Sequence, residues 1–173
     1  MSKKTVSLFL ALCFMALSFA ASASDFSSMT DEELYNTINQ ARAELLVRQH
    51  SDEEIICQAD GIIIYFNDVT VEKGRGDSWS MTINYTAVNT GDRRRGLMFE
   101  KLSINGWEFT SVNGADLEPG HKAKKKISVS SIDTKAEIKS VDEIQDMEFF
   151  GYTYDPETHG RITDDIHTRL IRR

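Results

Sequence analysis

From Ile62 onward apolar residues recur at every second position, and turn dipeptides break the recurrence at short intervals. Trp79, Met81, Ile83, Tyr85 and Ala87 line one face of an extended segment, and Ser80, Thr82, Asn84 and Thr86 line the other. A period of two is the mark of a half-buried strand. Ile62 to Phe66 is apolar on both faces, as expected where a strand is covered from two sides. Asn105-Gly106 between Ile104 and Trp107 predicts a hairpin, because a type I′ turn needs positive φ at both central residues.

Further strands are expected at Leu97–Ile104, along Trp107 and Phe109, through Ala123, Ile127 and Val129, at Met147–Tyr154 and at Ile162–Ile171. Gly74-Arg75-Gly76-Asp77, Asn89-Thr90-Gly91-Asp92, Asn113-Gly114, Pro119-Gly120 and Asp155-Pro156 read as the turns between them. Ile138–Ile144 is ambiguous between a strand and a helical turn. Seven to nine short strands with no helices between them predict a mainly β chain, an antiparallel sandwich rather than alternating βαβ units.

One helix precedes the strands. Thr30-Asp31-Glu32-Glu33 matches a capping box, and Leu34, Ile38, Ala41 and Leu45 follow at helical spacing over Met29–His50. That stripe is expected to face the chain's own domain.

The chain opens on a different pattern. Lys3 and Lys4 precede an apolar run of about 14 residues from Val6 to Phe19, and Ala21-Ser22-Ala23 closes it, the order of a cleaved secretory signal. The run is short of the roughly 20 residues of a membrane span. The expected organisation is a signal peptide at 1–23, a helix and linker at 24–53, and a sandwich domain at 54–173. Cleavage after Ala23 removes Lys3 and Lys4, leaving 18 basic residues against 27 acidic ones, a charge of −9. That balance argues against general affinity for nucleic acid. Cys13 lacks the small preceding residue of a lipidation site and leaves with the signal. Only Cys57 then remains, so no intrachain disulfide forms. It reads as a buried small hydrophobe, with a Cys57-linked dimer as the alternative to a monomer.

Two basic runs stand out against the acidic background. Arg93-Arg94-Arg95 fills a turn, and Lys122, Lys124, Lys125 and Lys126 open a strand beside His121. Alternating lysines are a common guard against edge-to-edge strand pairing. That role suits Lys122, Lys124 and Lys126 better than Lys125, which shares the face of Ala123 and Ile127. Brought together, the two runs would form a cationic patch for an acidic protein or an anionic polymer of the cell envelope.

Other chemistry is sparse. The sequence has no Gly-x-Ser-x-Gly elbow and no His-Glu-x-x-His helix. Ile55, Ile56, Glu53 and Glu54 around Cys57 would raise its pKa rather than activate it. Asp155, Glu157, His159 and His167 are the one set with metal-ligand chemistry, and a solvated turn is the plainer account of them. No catalytic residue, metal ligand or cofactor is assigned. Trp107, Phe109, Tyr152 and Tyr154 are expected to fill the core, with an exposed sugar-stacking platform as the alternative.

The segments MTINYTAVNTGDRR, LSINGWEF, LEPGHKAKKKISV and EIQDMEFFGYTYD, in this order, resemble secreted immunoglobulin-like β-sandwich domains of unknown function from Gram-positive, gut Firmicutes-type bacteria. MTDEELYNTINQARAEL resembles the short helix such proteins place ahead of the sandwich. The resemblance implies an immunoglobulin-like antiparallel β-sandwich preceded by one helix, and an address outside the cell. It brings no catalytic residues. Members commonly carry a lipobox, which this chain lacks. A non-enzymatic binding or structural module is therefore the expected function. A small-ligand or metal-binding protein, or a hydrolase or redox enzyme using Cys57, is the alternative.

Overall fold

The computed structural model describes residues 26–74, 78–132, 138–163 and 166–171. The expected signal peptide, Cys13 and the Arg75-Gly76-Asp77 part of a turn lie outside the described residues. The chain divides into two compact units, Met1–Ile38 and Asn39–Arg173, with the boundary inside helix α1 (Asp31–Gln49).

In the first unit the capping box forms as its sequence requires. Glu33 N–H donates to Thr30 Oγ1 at 3.3 Å, and Thr30 N–H donates to Glu33 Oε2 at 2.8 Å. The bond from the Thr30 backbone, helped by the Thr30 hydroxyl, holds the Glu33 carboxyl below the usual range.

The second unit holds two four-stranded antiparallel sheets. One has the order β1 (Ile55–Ala59), β2 (Ile62–Lys73), β3 (Trp79–Asn89), β6 (Lys122–Ile132). The other runs β5 (Trp107–Leu117), β4 (Arg95–Ile104), β7 (Asp146–Tyr154), β8 (Ile166–Ile171). Ile62, Ile64, Met81, Ile83, Tyr85 and Ile127 of the first sheet share one core with Leu97, Phe99, Leu102, Met147 and Phe149 of the second. Each fully buried side chain of this size contributes about 1.5–3 kcal/mol.

The apolar run of β2 has two covers. Ile62 and Ile64 face the opposite sheet, while Ile63 and Tyr65 lie with Val88 beneath Leu46 and Val47 of α1. Asn39 and Ala43 of the helix, and His50 just after it, are buried as well. This corrects the expected stripe: Ile38 is 42% and Leu45 58% exposed, and Ala41 is exposed too. Within the second unit the buried face runs through 39, 43, 46, 47 and 50. Two of its members are polar, and His50 stacks on Tyr65 with ring centroids 4.9 Å apart.

Asn105-Gly106 makes the expected hairpin, with φ of 51° and 80°. Asp60-Gly61 (φ 46° and 78°) does the same between β1 and β2, a strand and a turn not foreseen above. Asn113-Gly114, expected as a loop, lies inside β5 opposite Phe99 and Met98. Gly114 serves packing here, since a Cβ would come within 2.5 Å of the Leu97 carbonyl oxygen. The ambiguous segment closes as a 3₁₀ turn at Val141–Glu143, between the buried Ile138 and Ile144. The last strand begins at Ile166, not Ile162, which is 41% exposed.

The aromatic expectation holds in part: Phe109 packs against the core, and Trp107, Tyr152 and Tyr154 do not fill it. Tyr65, Tyr85, Phe99 and Phe149 are the fully buried aromatics, whereas Trp107 is 47% exposed and Phe109, Tyr152 and Tyr154 are half-buried. The β7 alternation explains the tyrosines: Phe149, Gly151 and Thr153 take the inward positions, which leaves Tyr152 and Tyr154 outward.

Candidate functional site: a lysine-lined cleft at one sheet edge

β6 ends one sheet and β5 ends the other, and among the described residues no strand pairs with either beyond that edge. A cleft of about 750 Å³ opens along β6, lined by Asn67 and Asp68 of β2, Asn84 and Tyr85 of β3, Asn113 of β5, and Lys124, Lys125 and Lys126. Strand register sets the lining. Lys126 lies opposite Asn84, Lys125 opposite Tyr85 and Lys124 opposite Thr86. On the far side of β3, Asp68 lies opposite Asn84, next to a register shift between Phe66 and Asp68. Such a bulge re-aims side chains locally, and here two polar residues follow an apolar run.

The polar walls are tied to one another. Asn84 Nδ2 donates to Asp68 Oδ1 at 2.5 Å, Thr86 Oγ1 to Asn67 Oδ1 at 2.9 Å, and Asn67 Nδ2 to Glu53 Oε2 at 3.3 Å. Beneath them the buried Tyr85 hydroxyl donates to Asn113 Oδ1 at 2.6 Å, and burial pushes the Tyr85 phenol well above its ordinary pKa. Tyr85 is thus a fixed neutral donor. With its oxygen occupied, Asn113 keeps its amide hydrogens for another acceptor.

The lysines differ from these walls. Lys122, Lys124, Lys125 and Lys126 are all exposed, and their side chains have no hydrogen-bond or ion-pair partner among the described residues. Such side chains can engage an anion without first breaking a bond.

The arginine run is placed nearby but used otherwise. Asn89 joins the two loops: its Nδ2 donates to the carbonyls of Arg93 (2.7 Å) and Leu117 (2.9 Å), and its Oδ1 accepts from Gly91 N–H (2.9 Å). Its backbone N–H donates to the His121 carbonyl at 3.0 Å, and its own carbonyl accepts from Gly120 N–H at 3.0 Å. The loop of Arg93–Arg95 therefore abuts the turn that starts the lysine strand. Arg95 Nε meets Asp60 Oδ2 at 2.6 Å, and Arg94 reaches Glu118 at 3.4 Å and Asp116 at 3.6 Å. Asp116 also accepts from the Tyr154 hydroxyl. Burial first and this carboxylate second push the Tyr154 phenol up to about 12. Two of the three arginine charges are already answered by carboxylates, and only Arg93 resembles the lysines.

The remaining chemistry-bearing residues do not assemble. Cys57 is buried at 5% exposure, and desolvation pushes its thiol up to about 11, the reverse of activation. A disulfide to a second copy would need β1 to open first. Cys57 shares a second cleft of about 590 Å³ with His167, but that ring is engaged elsewhere. His167 Nε2 lies 2.7 Å from Glu148 Oε2, and its face stacks on Phe150. Asp155 Oδ1 accepts from Glu157 N–H at 2.8 Å, which closes a local turn. Among the described residues no group of three or more His, Cys, Asp or Glu side chains could hold a metal ion. No helix among them is long and apolar enough to cross a membrane.

The two half-buried tyrosines are also occupied. Arg161 lies 3.8 Å above the Tyr152 ring, and Lys101 4.3 Å above Phe150 on the same face of the sheet. What the sequence did not reveal is the cleft's neutral lining, Asn67, Asn84 and Asn113. Asn67 and Asn84 come together through the pairing of β2 with β3, and Asn113 reaches the cleft from β5 of the other sheet, bonded to the Tyr85 hydroxyl. No protein-family model matches the chain, and no curated protein matches its sequence.

Proposed function

We propose that the protein is a secreted, non-enzymatic binding module with an immunoglobulin-like build, and that it engages an anionic polymer of the cell envelope along the lysine edge. The carrying observation is the row of partnerless lysines on a cleft, in a chain whose other basic run is largely ion-paired. Lys124, Lys125 and Lys126 make the contact, with Lys122 at the end of the row. Arg94 and Arg95 brace the loop behind it, and Arg93 is the one arginine available to the partner.

Strand pairing supports the immunoglobulin-like part. β2, β3 and β6 are ordered as A, B and E, and β4, β7 and β8 as C, F and G, with β5 beside C. The chain departs from the antibody pattern in having no disulfide between the sheets and Phe99 rather than tryptophan on the C-like strand. The signal-like first 23 residues support export, with a mature chain that starts at Ser24.

The test is sedimentation of the protein with the envelope fraction of its own producing cell. The Lys124→Glu, Lys125→Glu, Lys126→Glu protein is expected to remain in solution where the wild type sediments, and added salt should release the wild type. Binding that survives both the substitutions and the salt would remove the proposal. The mass of the exported chain checks the cleavage point independently.

A further inference from the structure

We infer that the β6 edge is a ladder for a linear acidic polysaccharide, one whose negative groups recur at about the two-residue repeat of a strand. This rests on the cationic-edge reading above and specifies the partner. Lys122, Lys124 and Lys126 share one face of β6, opposite Val88, Thr86 and Asn84. A strand advances about 3.4 Å per residue, so their stems stand about 7 Å apart and span about 14 Å. A small anion engages one or two such cations. A chain with a charge on each or every second sugar engages all of them in line, and its affinity grows with length.

Lys125 adds a fourth cation. It lies opposite Tyr85, on the face that looks toward the second sheet, and it lines the cleft with Asn113. An edge guard against strand pairing needs only the outward set, whereas a groove that wraps an anion uses both.

The neutral lining selects among polyanions. Asn67, Asn84 and Asn113 supply amides, groups that suit sugar hydroxyls. A single-stranded nucleic acid would want open aromatic faces for its bases. The cleft's one aromatic, Tyr85, is fully buried with its hydroxyl on Asn113. Among the described residues Asp68 is the only carboxylate in the lining, and it opposes any anion laid beside Lys126. It therefore serves as an internal control: neutralising it should strengthen binding.

The experiment titrates the full exported chain with galacturonic acid units joined in lengths of one, three and six, with a neutral hexasaccharide and phosphatidylglycerol vesicles alongside. The expected result is no measurable binding of the single unit and at least tenfold tighter binding of six units than of three. For the hexamer, log K against log salt should fall with a slope of about −2 to −3, as three or four cations release counterions. Asp68→Asn should tighten hexamer binding two- to fivefold, and Lys124→Gln should flatten the salt slope by about 0.7. Equal affinity for all three lengths, tighter binding to the neutral sugar or the vesicles, or no response to Asp68→Asn would overturn the ladder. If the length dependence fails while the triple glutamate variant still loses envelope binding, the ladder falls and the cationic-edge reading stands. If that variant keeps envelope binding, both fall. Unchanged melting of each variant ensures that a loss of binding is not a loss of fold.

Discussion

Arg93–Arg95 and Lys122–Lys126 look alike as sequence, two basic runs in an acidic chain, yet they do opposite work. Arg95 is only 18% exposed beside Asp60, and Arg94 is held between Asp116 and Glu118. The lysines have no such partners among the described residues and stand on the last strand of a sheet. Side-chain chemistry fits the division. A guanidinium offers a rigid fork that suits fixed carboxylates, and an ammonium on a flexible stem is a solvated point charge. A run of basic residues is therefore informative about binding only after its partners have been counted.

The largest effect expected on this comparison is loss of binding when the lysines are reversed. Lys124→Glu, Lys125→Glu and Lys126→Glu together should weaken hexauronate binding at least a hundredfold. Stability should stay within about 0.5 kcal/mol per site, as is usual for surface positions. Calorimetric titration and urea unfolding on the same sample check both halves.

Next in size is Asn89→Ala. Asn89 is fully buried, and its side chain binds Gly91 and Arg93 of the arginine loop and Leu117 at the end of β5, while its backbone meets Gly120 and His121. Its removal leaves two carbonyls and an N–H unsatisfied, at a cost of about 3 kcal/mol. A urea midpoint within error of wild type would show that the loops are not joined in this way. Asn39 supplies the counter-case, because it is buried with neither side-chain atom bonded. Asn39→Ala should therefore cost little or stabilise, since no partner is orphaned.

Smaller still is Arg95→Ala, which leaves Asp60 without its cation and should cost about 1.5–3 kcal/mol with no change in polyanion binding. The same value for Arg93→Ala, which lacks a carboxylate partner, would erase the distinction drawn within the run.

The smallest effect is in the pH profile. Tyr154 is held neutral up to about 12 by burial and by Asp116, the carboxylate that also meets Arg94. The unfolded phenol ionises near 10, so the unfolded state loses its proton first and alkali favours unfolding. The contribution is complete below pH 10 and disappears as pH rises through about 12. Tyr154→Phe should flatten the stability profile in that window relative to wild type. A profile that is unchanged by the substitution would separate Tyr154 from the arginine network.

Much of this architecture was legible because it is set by local rules. Thr30 and Glu33 form their box because only residues three apart can exchange those bonds. Asn105-Gly106 turns because both positions must take positive φ. Asp60-Gly61 carries the same signal, with φ of 46° and 78°. Where the reading failed, the deciding contact was distant in sequence. Gly114 is small because the Leu97 carbonyl approaches it, not because the chain turns there. The helix stripe was misplaced because Asn39 and His50 are buried, and a count of apolar residues cannot see a histidine stacked on Tyr65. Tyr152 and Tyr154 were assigned inward, although one inward residue, Phe149, fixes them outward by alternation.

The site divides in the same way. The lysine spacing is plain on the page, and the misfit of Lys125 with simple edge protection was visible from Ala123 and Ile127. The pairing of Arg94 and Arg95 with Asp116, Glu118 and Asp60 was not, since those acids lie on other strands and turns. Nor was the amide lining, which needs the register of β2 on β3 and the packing of β5 of the other sheet against them.

The most direct test of the central claim sets two variants side by side in one envelope-sedimentation assay, run below the melting temperature of both. One carries Lys124→Glu, Lys125→Glu and Lys126→Glu; the other carries Arg94→Gln and Arg95→Gln. The lysine variant is expected to stay in solution with wild-type melting, and the arginine variant to sediment like wild type while melting lower. An arginine variant that fails to sediment, beside a lysine variant that still does, would contradict the assignment of binding to the lysine edge.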